Sequence, residues 1–190
     1  MPEPNVRLLS VGLLGTCCYM LTMPERKDCV VIDPGAEAER IRQAAKGRTI
    51  AAILLTHGHF DHIAGVRELM DADTALVVHE DDAPMLTSPK LNASWLINRA
   101  ITAPDATHLV HEGDEITYAG ITFKVLHTPG HTPGSACYQT GNCLFSGDTR
   151  FRNGYGRTDL PGGSMAALRQ SLTRLAPLVE QLTLYPGHEA

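Results

Sequence analysis

A chain of 190 residues, 43% of them apolar, can bury one sizeable core, which excludes a disordered segment. Its net charge of −5 excludes nucleic acid as the main partner, because phosphate binding needs a basic face. No apolar run reaches membrane-spanning length, and Met1-Pro2-Glu3-Pro4-Asn5 lacks the basic region of a secretory signal, so no membrane association is expected and the expected location is the cytoplasm.

Residues 6–11 read as a first strand, 12–15 as a turn, and 17–22 and 28–32 as two more strands; this spacing predicts an antiparallel meander. Asp33-Pro34-Gly35 is the turn after the third. Residues 36–46 read as a helix with Ala38, Ile41, Ala44 and Ala45 as a modest apolar stripe and Gly47 in the place of a C-terminal cap. The cysteines, Cys17, Cys18, Cys29, Cys137 and Cys143, are odd in number, include an adjacent pair and form no CxxC. They read as buried reduced thiols, not a disulfide framework.

The apolar run 50–55 predicts a buried strand, which opens onto Thr56-His57-Gly58-His59-Phe60-Asp61-His62. Ile63, Val66, Leu69 and Met70 then fall near one face of a helix. Three imidazoles and a carboxylate in one turn are costly to pack against an apolar strand. A divalent metal resolves that conflict, since neutral imidazole nitrogen and carboxylate oxygen are its preferred ligands; a wet, His-rich surface loop is the alternative. Gly58 lets the backbone fold tightly between two ligands.

Residues 75–78 read as a strand and 80–86 as a short acidic helix or loop. Residues 87–104 are interrupted by Pro89, Asn92, Ser94 and Asn98 yet carry Leu91, Trp95, Leu96 and Ile97. They read as an irregular insertion over one edge of the active site, or as a plain connecting helix. Strands return after Thr107: 115–118 and 121–126 flank Ala119-Gly120, and 136–139 and 143–146 flank Thr140-Gly141-Asn142, two hairpin signals. A helix over 165–175, capped by Ser164, carries Met165, Leu168, Leu172 and Leu175 on one face and precedes a last strand at 182–185. Two runs of short strands, each followed by helix, exceed what one sheet holds. Two sheets packed face to face with helices outside are expected, in one domain over residues 1–190.

Three more candidate ligands follow strands. His131 lies in Thr128-Pro129-Gly130-His131, Asp148 in Ser146-Gly147-Asp148-Thr149, and His188 in Tyr185-Pro186-Gly187-His188. Each directly follows a glycine, where the backbone turns off a strand edge. His79, His108 and His111 read as surface residues. His127 reads as a support for the site or as a plain strand-end histidine.

These residues closely resemble the metallo-β-lactamase superfamily. The HxHxDH pattern stands as His57, His59, Asp61 and His62, followed in order by His131, Asp148 and His188. The resemblance runs from Val6 to His188 and implies an α/β fold, a four-layer αβ/βα sandwich of two packed mixed sheets flanked by helices, with a dinuclear site at one edge. It implies that His57, His59 and His131 hold one metal, that Asp61, His62 and His188 hold a second, and that Asp148 bridges them. The implied cofactors are two divalent cations, zinc first, with iron or manganese as alternatives. Asp148 argues against the β-lactamases that place Cys, or no bridging carboxylate, at that point.

The segment 146–163, with Gly156-Arg157-Thr158-Asp159-Leu160-Pro161-Gly162-Gly163, looks like the short bacterial glyoxalase II-like hydrolases. Glyoxalase II hydrolyses S-acylglutathione thioesters. Arg157 matches a basic residue that contacts glutathione in the longer enzymes; a salt bridge to Asp159 is the other reading. Those enzymes add a C-terminal helical domain, whereas this chain stops two residues after His188.

The resemblance therefore implies a dinuclear metal-dependent thioester hydrolase acting on an S-acylglutathione-like small molecule. A metal-bridging hydroxide would attack the acyl carbon, with Asp61 on the second metal orienting it. A thiolate, whose conjugate acid has a pKa of about 8.5, departs without a dedicated proton donor, whereas an amide needs one. The alternative is a mononuclear iron persulfide dioxygenase, which shares the fold and a segment like Gly156–Asp159 and would use His57, His131 and Asp148. Pro161-Gly162-Gly163 looks like the hydrolase version. A non-catalytic metal-binding protein is a third reading, against which the complete ligand set speaks. The acyl group, the thiol carrier and the oligomeric state stay open.

Overall fold

In a computed structural model, which describes residues 2–189, the strands gather into two sheets. The first has six strands in sequence order: β1 (Asn5–Val11), β2 (Thr16–Thr22), β3 (Asp28–Ile32), β4 (Thr49–Leu54), β5 (Ala75–His79) and β6 (His108–Val110). β1, β2 and β3 pair antiparallel, as the spacing predicts. From β3 to β6 the pairing is parallel, which requires crossovers. These are supplied by α1 (Ala38–Ala45), by α2 (Phe60–Ile63) with α3 (Val66–Leu69), and by the segment 80–107. The second sheet runs β11-β10-β9-β8-β7, with β7 (Glu115–Tyr118), β8 (Ile121–His127), β9 (Ala136–Thr140) and β10 (Cys143–Gly147) antiparallel. After α4 (Met165–Gln181), β11 (Thr183–Pro186) joins β10 in parallel.

β2 shows how a period of two builds the layers. Cys18 and Met20 face the core beneath the first helices, with Ile41, Ile63 and Leu69, while Cys17, Tyr19 and Leu21 face the other sheet. Such a strand is covered on both faces and reads as one apolar run. Between the sheets Ile32, Leu54 and Val77 belong to one cluster with Phe123, Val125, Tyr138 and Phe145. Beyond the second sheet Leu126, Cys137 and Leu144 meet Leu175 of α4. The layers are helix, sheet, sheet, helix, the α/β sandwich that the strand count and the resemblance both implied. All five cysteines are free and buried. Among the described residues no helix is long and apolar enough to cross a membrane.

Some details depart from the sequence reading. The helix after the His-rich turn is two short ones, because the Gly65 N–H leaves the helix ladder to bond the Pro34 carbonyl at 2.8 Å. α4 continues past residue 175 through Pro177, since Leu178 and Val179 extend its apolar face against Leu184. Glu80–Thr87 form a 3₁₀ helix, and residues 88–104 are irregular apart from a short 3₁₀ turn, Ser94–Ile97. His79 is not at the surface: it is buried at the end of β5 and stacks on the half-buried His127, ring centroids 3.9 Å apart. The apolar neighbours of β5 take it out of water, and that burial lowers its pKa.

Candidate metal centre

Strand ends meet at one edge of the sandwich. β4 delivers His57 and His59, and α2 directly after them carries Asp61 and His62. β8 leads to His131, β10 to Asp148 and β11 to His188. One donor atom each from His57, His59 and His131 lies within 4.8 Å of the others, and the same holds for Asp61, His62 and His188. Asp148 stands between the groups: its Oδ2 is 3.4 Å from Nε2 of both His131 and His188, and its Oδ1 is 3.3 Å from His62 Nε2. The seven residues singled out in the sequence thus converge on one place.

The imidazole protons point away from the centre. His57 Nδ1 donates to Thr56 Oγ1 at 3.1 Å, and that hydroxyl donates to Asp33 Oδ2 at 2.6 Å. His62 Nδ1 donates to the same carboxylate oxygen at 2.9 Å. His131 Nδ1 donates to the Arg157 carbonyl at 2.6 Å, and His188 Nδ1 to the Leu14 carbonyl at 3.2 Å. Each of these four rings therefore turns its Nε2 toward the centre. His59 presents Nδ1 there, 2.9 Å from His131 Nε2. Two lone pairs at that distance repel each other unless a cation or a proton lies between them. His57 Nε2 and Asp148 Oδ1 are buried without a hydrogen bond, which is costly for an isolated polar atom. Imidazole nitrogens and carboxylate oxygens so arranged fit divalent cations.

The charge states agree with that fit. Burial holds His57 well below the ordinary histidine pKa and His59 at about 3, so both are neutral and able to donate a lone pair. Burial also opposes charge at His62, but Asp61, Asp148 and Asp33 override it and raise its pKa well above the ordinary value. At His188 burial is likewise outweighed, by hydrogen bonds to Asp148 and Asp61, and its pKa rises to about 9. Without a cation these two rings carry protons that offset the carboxylates; a bound cation would release them.

Two carboxylates that the sequence reading passed over hold the ligand loops. Asp33, read only as a turn residue, is buried and accepts from the Thr56 N–H, the Thr56 hydroxyl and His62. Its sole signal was a strand end before Pro-Gly, shared with many plain turns. Asp82 lies in the acidic stretch 80–86 expected as a short helix or loop; it is buried and accepts from the Gly58 N–H, the Gly134 N–H and the Thr132 hydroxyl. It ties the His57–His59 turn to the loop of His131. Thr16 donates to Asp61 Oδ2 at 3.1 Å. His127 donates to the Pro133 carbonyl at 2.9 Å, supporting that loop without reaching the centre. Arg157 pairs with Asp159 through two bonds of 2.6 and 2.8 Å, while its carbonyl orients His131.

The glycines before the ligands have different reasons. Gly147 adopts φ +51°, a left-handed conformation. Gly187 lies outside that region, but a Cβ there would stand 2.2 Å from Asp148 Oδ1. Gly187→Ala is expected to push Asp148 off the centre and weaken metal retention about 10- to 100-fold with the fold intact. Metal content after dialysis, read beside the circular dichroism spectrum, checks this.

Comparison with known proteins agrees with the geometry. The crystal structure of the B3 metallo-beta-lactamase BLEG-1 superposes with a TM-score of 0.89 at 37% identity, covering 97% of this chain and 91% of that one. TTHA1623, solved in a di-iron-bound form, gives a TM-score of 0.84 at 36% identity, covering 96% and 92%. A hydroxyacylglutathione hydrolase from Aeromonas hydrophila subsp. hydrophila is 38% identical over 178 residues, 90% of this chain and 61% of that protein. The family model for the metallo-beta-lactamase superfamily matches residues 11–188, a span that contains all seven converging residues, and the chain belongs to that superfamily.

Proposed function

We propose that this chain is a dinuclear metal-dependent hydrolase of a small thioester, with His57, His59 and His131 at one cation, Asp61, His62 and His188 at the other, and Asp148 shared. The observation that carries this reading is the position of Asp148, within 3.4 Å of histidines from both groups. A mononuclear iron site of His57, His131 and Asp148, as in the dioxygenase alternative, would leave the second complete group unused. Two divalent cations would polarise the acyl carbonyl and bring the pKa of bound water toward neutrality. Zinc and iron both suit these donors, and the di-iron form of TTHA1623 supports iron beside zinc.

The chain's own groups set the geometry. Asp33 holds His62 and, through Thr56, His57. Thr16 fixes the carboxylate of Asp61. Water adds its oxygen to the acyl carbon, the carbon–sulfur bond breaks, and carboxylate, thiolate and two protons leave. A cavity of about 440 Å³ lies over the centre; apart from Arg157, every titratable residue lining it belongs to the seven. A leaving group that departs as a stable anion suits such a site, which favours a thioester over an amide. The likeness to the Aeromonas hydrolase supports the same choice, and the likeness to BLEG-1 supports a β-lactam as the second reading. With the first reading go a small-molecule substrate, a single domain and the cytoplasm as compartment.

The test is elemental analysis of the protein as purified, followed by thiol-release assays on S-acyl thioesters beside a cephalosporin. The expected result is about two metals per chain, thioester turnover and its loss on chelation. A single iron with persulfide consumption overturns the reading in favour of the dioxygenase, and faster lactam turnover overturns it in favour of the β-lactamase.

A further inference from the structure

The cavity over the metal centre has a polar floor and an apolar wall. Leu14, Phe60, Leu96, Ile97, Phe151 and Leu160 form that wall. Three of them stand well out in water, Leu14 at 56%, Leu96 at 46% and Ile97 at 44% exposure. Large apolar side chains collected around one cavity mark a ligand site more than scattered surface residues do.

The segment that carries Leu96 and Ile97 is built to hold them there. Asn92 is buried, and its side chain bonds the carbonyls of Met85 and Ile101 and the N–H of Ser94. The Asn92 carbonyl accepts from the Phe60 N–H at 3.0 Å, which fastens the segment to the helix of Asp61 and His62. Ala93 and Asn98, at φ +65° and +54°, bracket the turn in the left-handed region. Such a conformation costs energy for Ala93 and persists where the surroundings impose it. Leu14 is tied to the centre from the other side, its carbonyl accepting from His188. The wall is thus preorganised, and a ligand meeting it loses little to ordering.

The electrostatics say which end of the substrate meets the wall. Among the described residues the only arginine or lysine lining the cavity, Arg157, is already paired with Asp159. Biological thiols that carry acyl groups end in polar, charged arms, which gain nothing from leucine and isoleucine. We infer that the substrate is a thioester with an apolar aliphatic or aromatic acyl group, seated on Leu14, Leu96 and Ile97 with its carbonyl over the metal floor. This rests on the thioester reading and narrows it, setting the substrate apart from short hydroxyacyl thioesters.

Two measurements test it, both on the metal-loaded protein. The first is kcat/KM for acetyl, butanoyl, hexanoyl and lactoyl thioesters of one thiol. Burying a methylene is worth about 0.8 kcal/mol, so each is expected to raise kcat/KM about three- to fourfold, on the order of a hundredfold from acetyl to hexanoyl. Leu96→Ser combined with Ile97→Ser flattens that slope. Equal rates along the series, or a preference for lactoyl over hexanoyl, overturn the inference. The second readout needs no turnover. Trp95, the only tryptophan, shares the 3₁₀ turn but does not line the cavity, so binding is followed by isothermal titration calorimetry. Hexanoate is expected to bind on the order of a hundredfold more tightly than acetate, and Leu96→Ser to shrink that ratio. If no thioester is hydrolysed but the ratio holds, the function proposed above fails and the apolar subsite stands. If the two carboxylates bind equally, the subsite itself is overturned whatever the turnover.

Discussion

Asp148→Ala is expected to lower thioester kcat/KM on the order of a thousandfold, the loss of several kcal/mol of metal-derived stabilisation. The carboxylate reaches His131, His62 and His188 at once, so its removal weakens both halves of the centre together. Burial by itself would favour its protonated form, but His62 and His188 hold its pKa well below the usual carboxylate range, and it is ionised at any working pH. Asp148→Asn separates charge from shape, because the amide fills the same space without a negative oxygen. Both variants are expected to lose metal on dialysis, by elemental analysis, while a replacement at the surface such as Glu180→Ala keeps it. Asp148→Asn retaining a full metal complement and more than about a tenth of wild-type activity would contradict a bridging role.

Asp82→Ala is expected to be the most destabilising change outside the core and the candidate ligands. Three donors from two loops converge on this buried carboxylate, at 2.6 to 2.9 Å. Burial raises its pKa, and the three bonds oppose that rise. Removal strands the N–H groups of Gly58 and Gly134 away from water, at a cost of about 3–5 kcal/mol. For a chain of this size that lowers Tm on the order of 10 °C. Metal retention falls as well, since the His57–His59 turn and the His131 loop lose their common anchor. Asp81→Ala next door is the control, because that side chain is exposed, and its change should stay within about 0.5 kcal/mol. Thermal melts of the two variants with metal and with chelator measure both effects, and equal melts for Asp81→Ala and Asp82→Ala would remove Asp82 from this role.

Much of the architecture is written in local periodicity. The apolar runs of β2 and β4 and the stripe of α4 are each set within a few residues, and each predicted its element. His57, His59, Asp61 and His62 were legible for the same reason: they sit in one turn, and their chemical type announces a cation before any fold is known. Asp33, Asp82, His79 and the wall of Leu14, Leu96 and Ile97 were not legible. Asp82 meets Gly134 across 52 positions of sequence and Asp33 meets His62 across 29. Nothing in Glu80-Asp81-Asp82 tells which carboxylate is buried and which is wet. That difference is made by the parallel pairing of β4 and β5 and by the second sheet closing over them, which bring the 58 and 134 loops to the same carboxylate. A side chain's type decides what it can bind, and the sequence displays that directly. Its desolvation and its partners depend on what the tertiary fold lays over it, so the candidate ligands were written in the chain, and what holds and covers them was decided by packing.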